Sequence, residues 1–293
     1  MRDDVWINDM MRSIKIKMNK TKRIRRALCA VIAALLIVTS VMAAACGNSS
    51  NSGVIAAGST SVQPYAELLA EAYEHQHPEN EIDVQGGGSS AGITAVETGT
   101  ADIGMSSRML KESEQDLWSC EIARDGLAVI VNPDNPISGL TLEQLRGIYT
   151  GAITQWREVG GRDANIHVIS REEGSGTKSA FEELVMNKEA IDPRSIIQDS
   201  NGAVMQLVAG DKNSIGFISL GLVNGSVKAV PLEGITASPD NVLNGTYNLY
   251  RQFLFVTKEA PEGDIKQFID FALSPEGRQT LVNEGLIPPE GVE

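Results

Sequence analysis

Short apolar runs alternate along the chain with segments in which apolar residues recur at helical spacing. Within residues 62–73, for example, apolar side chains recur every three or four positions, as in an amphipathic helix. The predicted strands are 54–57, 81–85, 102–105, 126–131, 166–170, 215–220, 227–230 and 249–256. The predicted helices are one over 62–73, one beginning near Ser89 or Ser90, one from Thr141 through Ile148, one from Ser175 to Val185, and three over 201–209, 263–273 and 275–284. This alternation predicts an α/β fold with crossover connections, and it disfavours a β-sandwich or a helical bundle.

Polar residues mark the starts of several of these helices. Ser61 precedes the first helical pattern and is predicted as its N-cap, with Pro64 tolerated in the first turn. Thr141 opens a Thr-x-x-Gln capping box, and Ser175 is predicted to cap the helix that follows it.

Three turns rich in glycine, serine and threonine stand where an apolar run gives way to a helical pattern. They are residues 58–61 (GSTS), 86–90 (GGGSS) and 174–177 (GSGT). A helix begins with about four backbone N–H groups that lack a partner within the helix, and it carries roughly half a positive charge there. Small side chains let an anion approach these groups closely. One such turn is typical of an ordinary helix cap, but three together predict a shared anion site.

Residues 1–45 have the layout of an export signal. A basic front from Arg12 to Arg26 leads into an apolar run over 27–42, and small residues precede Cys46. Met11 and Met18 are alternative translation starts. Residues 43–46 (AAAC) resemble the bacterial lipoprotein box, although Ala43 stands where that box usually has leucine. The resemblance implies a signal peptide over 1–45, a lipid on Cys46 and a flexible tether over 46–53. Ordinary signal cleavage and a retained membrane anchor are the alternatives.

The charge of the remaining chain excludes one class of partner. The whole chain has a formal net charge of -13, and because residues 1–45 are basic, residues 46–293 carry about -19. Such a chain repels nucleic acid, so a bound anion must be held by local dipoles and one or two chosen cations. Cys120 has no predicted disulfide partner, and the fold must depend on its apolar core, most naturally as two lobes of about 120 residues each.

From about Val54 to the C-terminus the chain resembles the phosphate-binding subunit of bacterial phosphate ABC transporters. The resemblance rests on residues 58–61, 85–92 (QGGGSSAG) and 171–177 (REEGSGT), with weaker matches over 145–156 and 215–220. It implies the type II periplasmic-binding-protein fold, in which two α/β lobes are joined by two chain crossings. Residues 54–128 with 252–293 would form one lobe and residues 129–251 the other.

The same resemblance implies a set of phosphate-binding residues drawn from both lobes. Arg171 would supply the cation, and its planar fork suits two phosphate oxygens at once. Glu173 would orient this arginine. Taken alone, Arg171 is more typical of a surface ion pair with Glu172 or Glu173 than of a ligand clamp. Hydroxyl and backbone donors would come from Thr60, Ser61, Ser89, Ser175, Gly176 and Thr177.

One position departs from the family pattern. An aspartate often follows the third strand there, where it accepts a proton from hydrogen phosphate and so repels fully ionised sulfate. Ser107 occupies that position here, and a hydroxyl can donate or accept. Ser107 is therefore expected in the site without excluding sulfate, and Arg108 is expected to add a second cation.

The resemblance implies an extracytoplasmic, lipid-anchored receptor that captures inorganic phosphate and delivers it to the permease of an ABC transporter. We expect a monomer that is not an enzyme and that uses no cofactor. The alternatives are a receptor for sulfate, molybdate or another tetrahedral oxyanion, a phosphate-ester hydrolase using Ser175, and a sensory or adhesive lipoprotein. Residues 174–179 (GSGTKS) match neither the nucleotide-binding loop nor the hydrolase elbow. His75 and His77 have no third ligand at metal spacing, so no metal site is predicted.

Overall fold

The computed structural model describes residues 53–187 and 189–289. The predicted signal peptide, the lipidated Cys46 and the tether as far as Ser52 lie outside these residues. Within the described part, no helix combines the length and the apolar character needed to span a membrane.

Alternating strands and helices are observed, as the hydrophobic pattern predicts. The strands are β1 (Val54–Gly58), β2 (Ile82–Gly86), β3 (Ile103–Ser106), β4 (Trp118–Val131), β5 (His167–Arg171), β6 (Ile196–Gln198), β7 (Ser214–Ser219), β8 (Lys228–Ala229) and β9 (Tyr250–Thr257). The helices are α1 (Gln63–Gln76), α2 (Ser89–Thr98), α3 (Leu142–Tyr149), α4 (Gly176–Phe181), α5 (Asn201–Gly210), α6 (Pro239–Leu243), α7 (Gly263–Leu273) and α8 (Pro275–Asn283). A π-helical turn, Glu182–Met186, continues α4. The predicted α/β fold class is confirmed.

The strands form a mixed sheet in the order β2-β1-β3-β9-β4-β7-β5-β6, with β8 beside β4. Strands β1, β2 and β3 are parallel to one another, as are β5, β6 and β7. The two parallel groups are connected by β4 and β9, which pair antiparallel to each other. Parallel strands end at one edge of a sheet, so the turns that follow β1, β2 and β3 are brought together there.

Two separate hydrophobic cores account for the two-lobed shape. The first packs around α1, β1, β3, α7 and the end of β9, and includes Tyr73 and Phe268. The second packs around α3, α4, α5 and β7, where the rings of Phe181 and Phe217 stack with their centroids 4.1 Å apart. We call these lobe I and lobe II.

The two long strands pass from one core to the other. On β4 the change falls between Ala123 and Leu127, and at β9 it falls between Leu249 and Phe253. These two crossings connect the lobes. The lobe boundaries predicted from the resemblance, at residues 128/129 and 251/252, stay a prediction.

Several predicted helix starts can be compared with the structure. Thr141 Oγ1 accepts from the Gln144 amide at 3.0 Å and the Gln144 side chain accepts from the Thr141 amide at 2.9 Å, so the capping box is confirmed. Ser175 caps α4 by accepting from the Lys178 amide at 3.2 Å. The prediction for Ser61 is wrong, because α1 begins at Gln63 and the Ser61 hydroxyl is used elsewhere.

Candidate functional site

Three hydroxyl groups from the two lobes meet where the predicted turns converge. Ser61, in the turn after β1, places its Oγ 2.9 Å from Oγ1 of Thr177 in the first turn of α4. Thr60 Oγ1 is linked to this pair by Asn201, whose side-chain amide donates to Thr60 at 3.2 Å and to Ser61 at 2.9 Å. We call Thr60, Ser61 and Thr177 the hydroxyl cluster. Its members come from turns more than 110 residues apart in the chain, as a shared site requires.

The hydrogen bonds around the hydroxyl cluster orient its protons. Thr60 Oγ1 accepts from Asn201 and from Arg171 Nη2, the latter at 3.3 Å. Ser61 Oγ accepts from Asn201 and from Arg251 Nη2, both at 2.9 Å. A hydroxyl has two lone pairs and one proton, so a hydroxyl that accepts twice can only donate further. Ser61 therefore donates its own proton to Thr177 Oγ1, and the O–H groups of Thr60 and Thr177 remain as donors for an anion with several acceptor oxygens.

Arg171 at the end of β5 is buried, with 1% of its surface exposed, and it reaches the cluster from lobe II. Its Nε and Nη2 donate to the two carboxylate oxygens of Glu172 at 2.9 and 3.0 Å. The prediction that Glu173 orients Arg171 is therefore wrong. The Glu173 side chain is 91% exposed and pairs with Lys178 in the first turn of α4, whereas that of Glu172 is only 26% exposed.

A second group of hydroxyls, Ser59, Ser89 and Ser107, lies beside the cluster in lobe I. Ser59 Oγ donates to Ser107 Oγ at 2.8 Å, and Ser89 Oγ accepts from the Ser107 amide at 3.1 Å. Ser107 thus stands among the predicted site residues, where its hydroxyl accepts a hydrogen bond from Ser59.

Gly176 of lobe II lies directly against this serine group. A Cβ added at Gly176 would be 2.3 Å from Ser89 Oγ and 2.4 Å from Ser107 Oγ, far inside normal contact. Beside it, the amide of Ser90 donates to the carbonyl of Gly174 at 3.1 Å. The two lobes are therefore in contact across the site, and only glycine fits at position 176 in this arrangement.

Arg108 lies outside the hydroxyl cluster, and its expected role as a second cation of the phosphate site stays a prediction. Its guanidinium forms a two-pronged ion pair with Glu114, at 2.7 and 2.9 Å, and its Nη2 donates to Ser90 Oγ at 3.1 Å. Glu114 reaches it from the turn after β3, and this bond helps lower the pKa of that carboxyl against the opposing effect of burial. Arg108 therefore borders the serine group with its charge matched by Glu114, while its buried Nε has no hydrogen-bond partner among the described residues.

Two residues that the sequence analysis missed, Asn201 and Arg251, contact the cluster directly. Asn201 is the first residue of α5, and its carbonyl oxygen also accepts from the Ser219 amide at 3.2 Å. Arg251 lies in β9, inside the run that reads as a buried strand. A charged residue within an apolar strand is rare unless it is paired. The charge of Arg251 inside this run is the sequence signal by which it could have been identified.

Arg251 is paired with Asp125, which stands directly opposite it on β4 at the lobe crossing. Their side chains are joined by a 2.9 Å hydrogen bond, and the other Asp125 oxygen accepts from Ser219 Oγ at 2.8 Å. Burial raises the pKa of the Asp125 carboxyl and lowers the pKa of the Arg251 guanidinium, while the attraction between the two charges opposes both shifts.

The described residues contain no group of three or more His, Cys, Asp or Glu arranged to hold a metal ion. His167 is half exposed, and its Nδ1 lies 2.6 Å from Asp211. The donors of the site are hydroxyl O–H, amide N–H and guanidinium N–H groups, which suit an anion.

Comparison with known proteins agrees with this geometry. Residues 43–276 match the model of a PBP superfamily domain. The chain is also 31% identical over 262 residues to the phosphate-binding protein PstS of Pseudomonas aeruginosa strain PAO1, over 79% of this chain and 81% of the relative. The chain belongs to the PstS family of the PBP superfamily.

Two solved structures have higher sequence identity to this chain. One is a phosphate ABC transporter substrate-binding protein from Clostridium perfringens with bound phosphate, 46% identical, with a TM-score of 0.79 over 81% of this chain and 100% of that one. The other is an ABC-type phosphate transport receptor from Vibrio cholerae, 42% identical, with a TM-score of 0.68 over 80% of this chain and 100% of that one. The predicted two-lobed binding-protein fold is confirmed.

Proposed function

We propose that this protein is the substrate-binding component of a phosphate ABC transporter, which captures inorganic phosphate between its lobes and delivers it to the permease. The observation that carries the proposal is the hydroxyl cluster, where Thr60 and Ser61 of lobe I meet Thr177 of lobe II, and where Arg171, Arg251 and Asn201 donate to the two lobe I hydroxyls. Such a cluster is complementary to a small anion with acceptor oxygens on every side.

The phosphate-binding residues in this proposal are those expected from the sequence other than Arg108, with two additions. Thr60, Ser61, Ser89, Ser107, Ser175, Gly176 and Thr177 donate through hydroxyls or amides, Arg171 supplies a cation, and Asn201 and Arg251 are the added contacts. The Ser175 hydroxyl keeps its proton for the anion, since it accepts from the Lys178 amide. Arg108 borders the site without contacting the ligand.

Several hydrogen bonds of this kind suffice for tight binding. Each bond to a charged group contributes about 1.5 to 3 kcal/mol. Part of the sum offsets the dehydration of the anion, and a remainder of about 8 kcal/mol corresponds to a micromolar dissociation constant. Calorimetry of the full-length protein with phosphate tests this directly. Absence of heat, together with absence of a thermal shift at millimolar phosphate, would reject phosphate as the ligand.

The cellular part of the proposal is that a lipid on Cys46 holds the protein, as a monomer, at the outer face of the cell membrane. The support is the AAAC segment and the family membership. A Cys46→Ala variant should leave the membrane fraction, and light scattering should report the mass of one chain. Deleting the protein should reduce phosphate uptake, whereas a sensory or adhesive lipoprotein would leave uptake unchanged.

A receptor for sulfate or another tetrahedral oxyanion is the second candidate, and Ser107 favours it. A serine hydroxyl can donate to sulfate, whereas an aspartate would face it with an unpaired acceptor. Competition between phosphate and sulfate from pH 5 to pH 9 separates the candidates. A phosphate receptor keeps its preference for phosphate across that range.

We propose that the protein has no catalytic activity. Ser175 is 1% exposed and its Oγ is the cap of α4, while the nearest candidate base along the chain, His167, is engaged with Asp211. Hydrolysis of a chromogenic phosphate ester that disappears in Ser175→Ala would contradict this.

A further inference from the structure

Arg251 is a buried cation placed between the lobe crossing and the hydroxyl cluster. It is 6% exposed, and it stands opposite Asp125 where β4 and β9 pass from one core to the other. Its Nη2 donates both to Ser61 Oγ and to Asp125 Oδ2, each at 2.9 Å. The guanidinium is thus in direct contact with a hydroxyl that we assign to phosphate.

The rest of the Arg251 guanidinium is unsatisfied. Nε and Nη1 are buried and have no hydrogen-bond partner among the described residues. Buried polar groups in proteins are nearly always paired, because an unpaired donor keeps the full cost of its dehydration. Donors of this kind at the edge of an anion site indicate that the anion is their partner.

Arg171 approaches the same cluster from lobe II, so two like charges converge on it. Arg171 contacts Thr60, while Arg251 contacts Ser61, and proximity to Arg171 contributes to the lowered pKa of Arg251. Each arginine has its own carboxylate, Glu172 or Asp125, which accepts from the same Nη2 atom that contacts a cluster hydroxyl. An anion between the two guanidiniums would relieve their repulsion.

We propose that Arg251 is a second cation of the anion site, and that together with Arg171 it sets a preference for doubly charged oxyanions. This inference rests on the proposed function and adds to it the residue that selects ligand charge. The role of second cation, which the sequence predicts for Arg108, is thereby assigned to Arg251 on β9.

The other charged or titratable groups near Arg251 support a dianion. Asp125 on β4 and Tyr65 on α1 are the titratable groups that act on Arg251 besides Arg171, and Glu284 after α8 acts on Tyr65. Burial and the nearby Asp125 raise the pKa of Tyr65 far above neutrality, so it stays uncharged. Asp125 is held by Ser219 and Arg251 and contacts none of the three cluster hydroxyls. The cluster is therefore faced by two guanidiniums and by no carboxylate at hydrogen-bond distance.

The test compares Arg251→Gln with Arg251→Lys and with a matched control, Arg124→Gln. Arg124 is on β4, pairs with Glu121 and lies over the Tyr250 ring, outside the hydroxyl cluster. Phosphate and sulfate are titrated calorimetrically into each full-length protein at pH 6 and pH 8. Phosphate gains its second charge between these pH values, whereas sulfate is a dianion at both, which makes sulfate the fixed-charge probe.

In the wild type, phosphate affinity should rise from pH 6 to pH 8. We expect R251Q to lose at least tenfold in affinity for both dianions at pH 8, and to lose much less for phosphate at pH 6, which flattens the pH dependence. R251K should retain the wild-type pH dependence because it retains the charge, and R124Q should match the wild type.

Equal losses for R251Q at both pH values, or no loss at all, would overturn the proposal and leave Arg251 a structural residue. If R251Q does not fold, Asp125→Asn supplies the opposite change, since it makes the site more positive and should raise sulfate affinity. Unchanged or weaker sulfate binding by D125N then counts against the proposal. Should the wild type bind sulfate but not phosphate, only the proposed function fails; should it bind neither, both fail.

Discussion

Gly176→Ala is a perturbation that separates lobe closure from lobe stability. Gly176 has no positive φ and begins α4, so alanine fits its backbone and the helix would tolerate or favour it. The added Cβ meets Ser89 Oγ at 2.3 Å, Ser107 Oγ at 2.4 Å and the Ser107 carbonyl carbon at 3.0 Å, all across the lobe contact. The clash therefore exists only while the lobes are together.

The size of the effect follows from the cost of overpacking. One extra methyl group in a well-packed site typically costs about 1 to 3 kcal/mol. Because each 1.4 kcal/mol is a factor of about ten, phosphate affinity should fall by roughly 5- to 150-fold. Stability without ligand should stay within about 0.5 kcal/mol, since open lobes relieve the contact.

Calorimetry gives the affinity and thermal unfolding without ligand gives the stability. Gly202→Ala is the matched control, because Gly202 also lies in the first turn of a lobe II helix but an added Cβ there meets nothing within 4 Å. G202A should bind like the wild type. Wild-type affinity in G176A as well would mean that the close approach is absent from the ligand-bound form, and the reasoning would fail.

Three further outcomes follow from the site and the core. Arg171→Ala should weaken phosphate binding more than tenfold in calorimetry while its circular dichroism stays that of the wild type; unchanged binding would remove the cation assignment. Ser107→Asp should raise the preference for phosphate over sulfate more than tenfold in competition at pH 7, because the new carboxylate can accept a proton only from phosphate. Burial raises the pKa of the half-buried Cys120 to about 12, so a thiol reagent at pH 8 should label this residue far more slowly in the folded protein than after unfolding, where the pKa returns to about 8.5. Rapid labelling of the folded protein would contradict that burial.

Local signals account for what the sequence predicts well. The capping box at Thr141 and the helix Gly263–Leu273 depend on residues within a turn or two, and both are observed as expected. The first half of β4, from Trp118 to Asp125, has no matching local signal, because its sequence lacks clean alternation. It is a strand because β9 pairs with it along that length, and the pairing partner is more than 120 residues away.

The site residues likewise divide into those that have a local signal in the sequence and those that do not. The serine and threonine turns could be predicted because their composition is local, whereas Asn201 and Arg251 reach the cluster only through tertiary folding. The exchange of Glu173 for Glu172 as the partner of Arg171 has a local cause. Lys178 in the first turn of α4 forms an ion pair with the exposed Glu173, and Glu172 is the carboxylate that contacts the Arg171 guanidinium. Spacing in the sequence could not decide between adjacent carboxylates.

At the site, the seam between the lobes consists of hydroxyls, a carboxamide and guanidiniums, while the hydrocarbon lies in two cores that do not meet there. Opening the lobes at this seam exposes polar atoms to water but exposes little apolar surface. Water therefore stabilises the open form, and burial of apolar surface contributes little to lobe closure. Whether the lobes are open or closed then depends on whether the anion is bound. A membrane partner that contacts both lobes at once would bind the anion-loaded form in preference to the empty form, without contacting the anion itself.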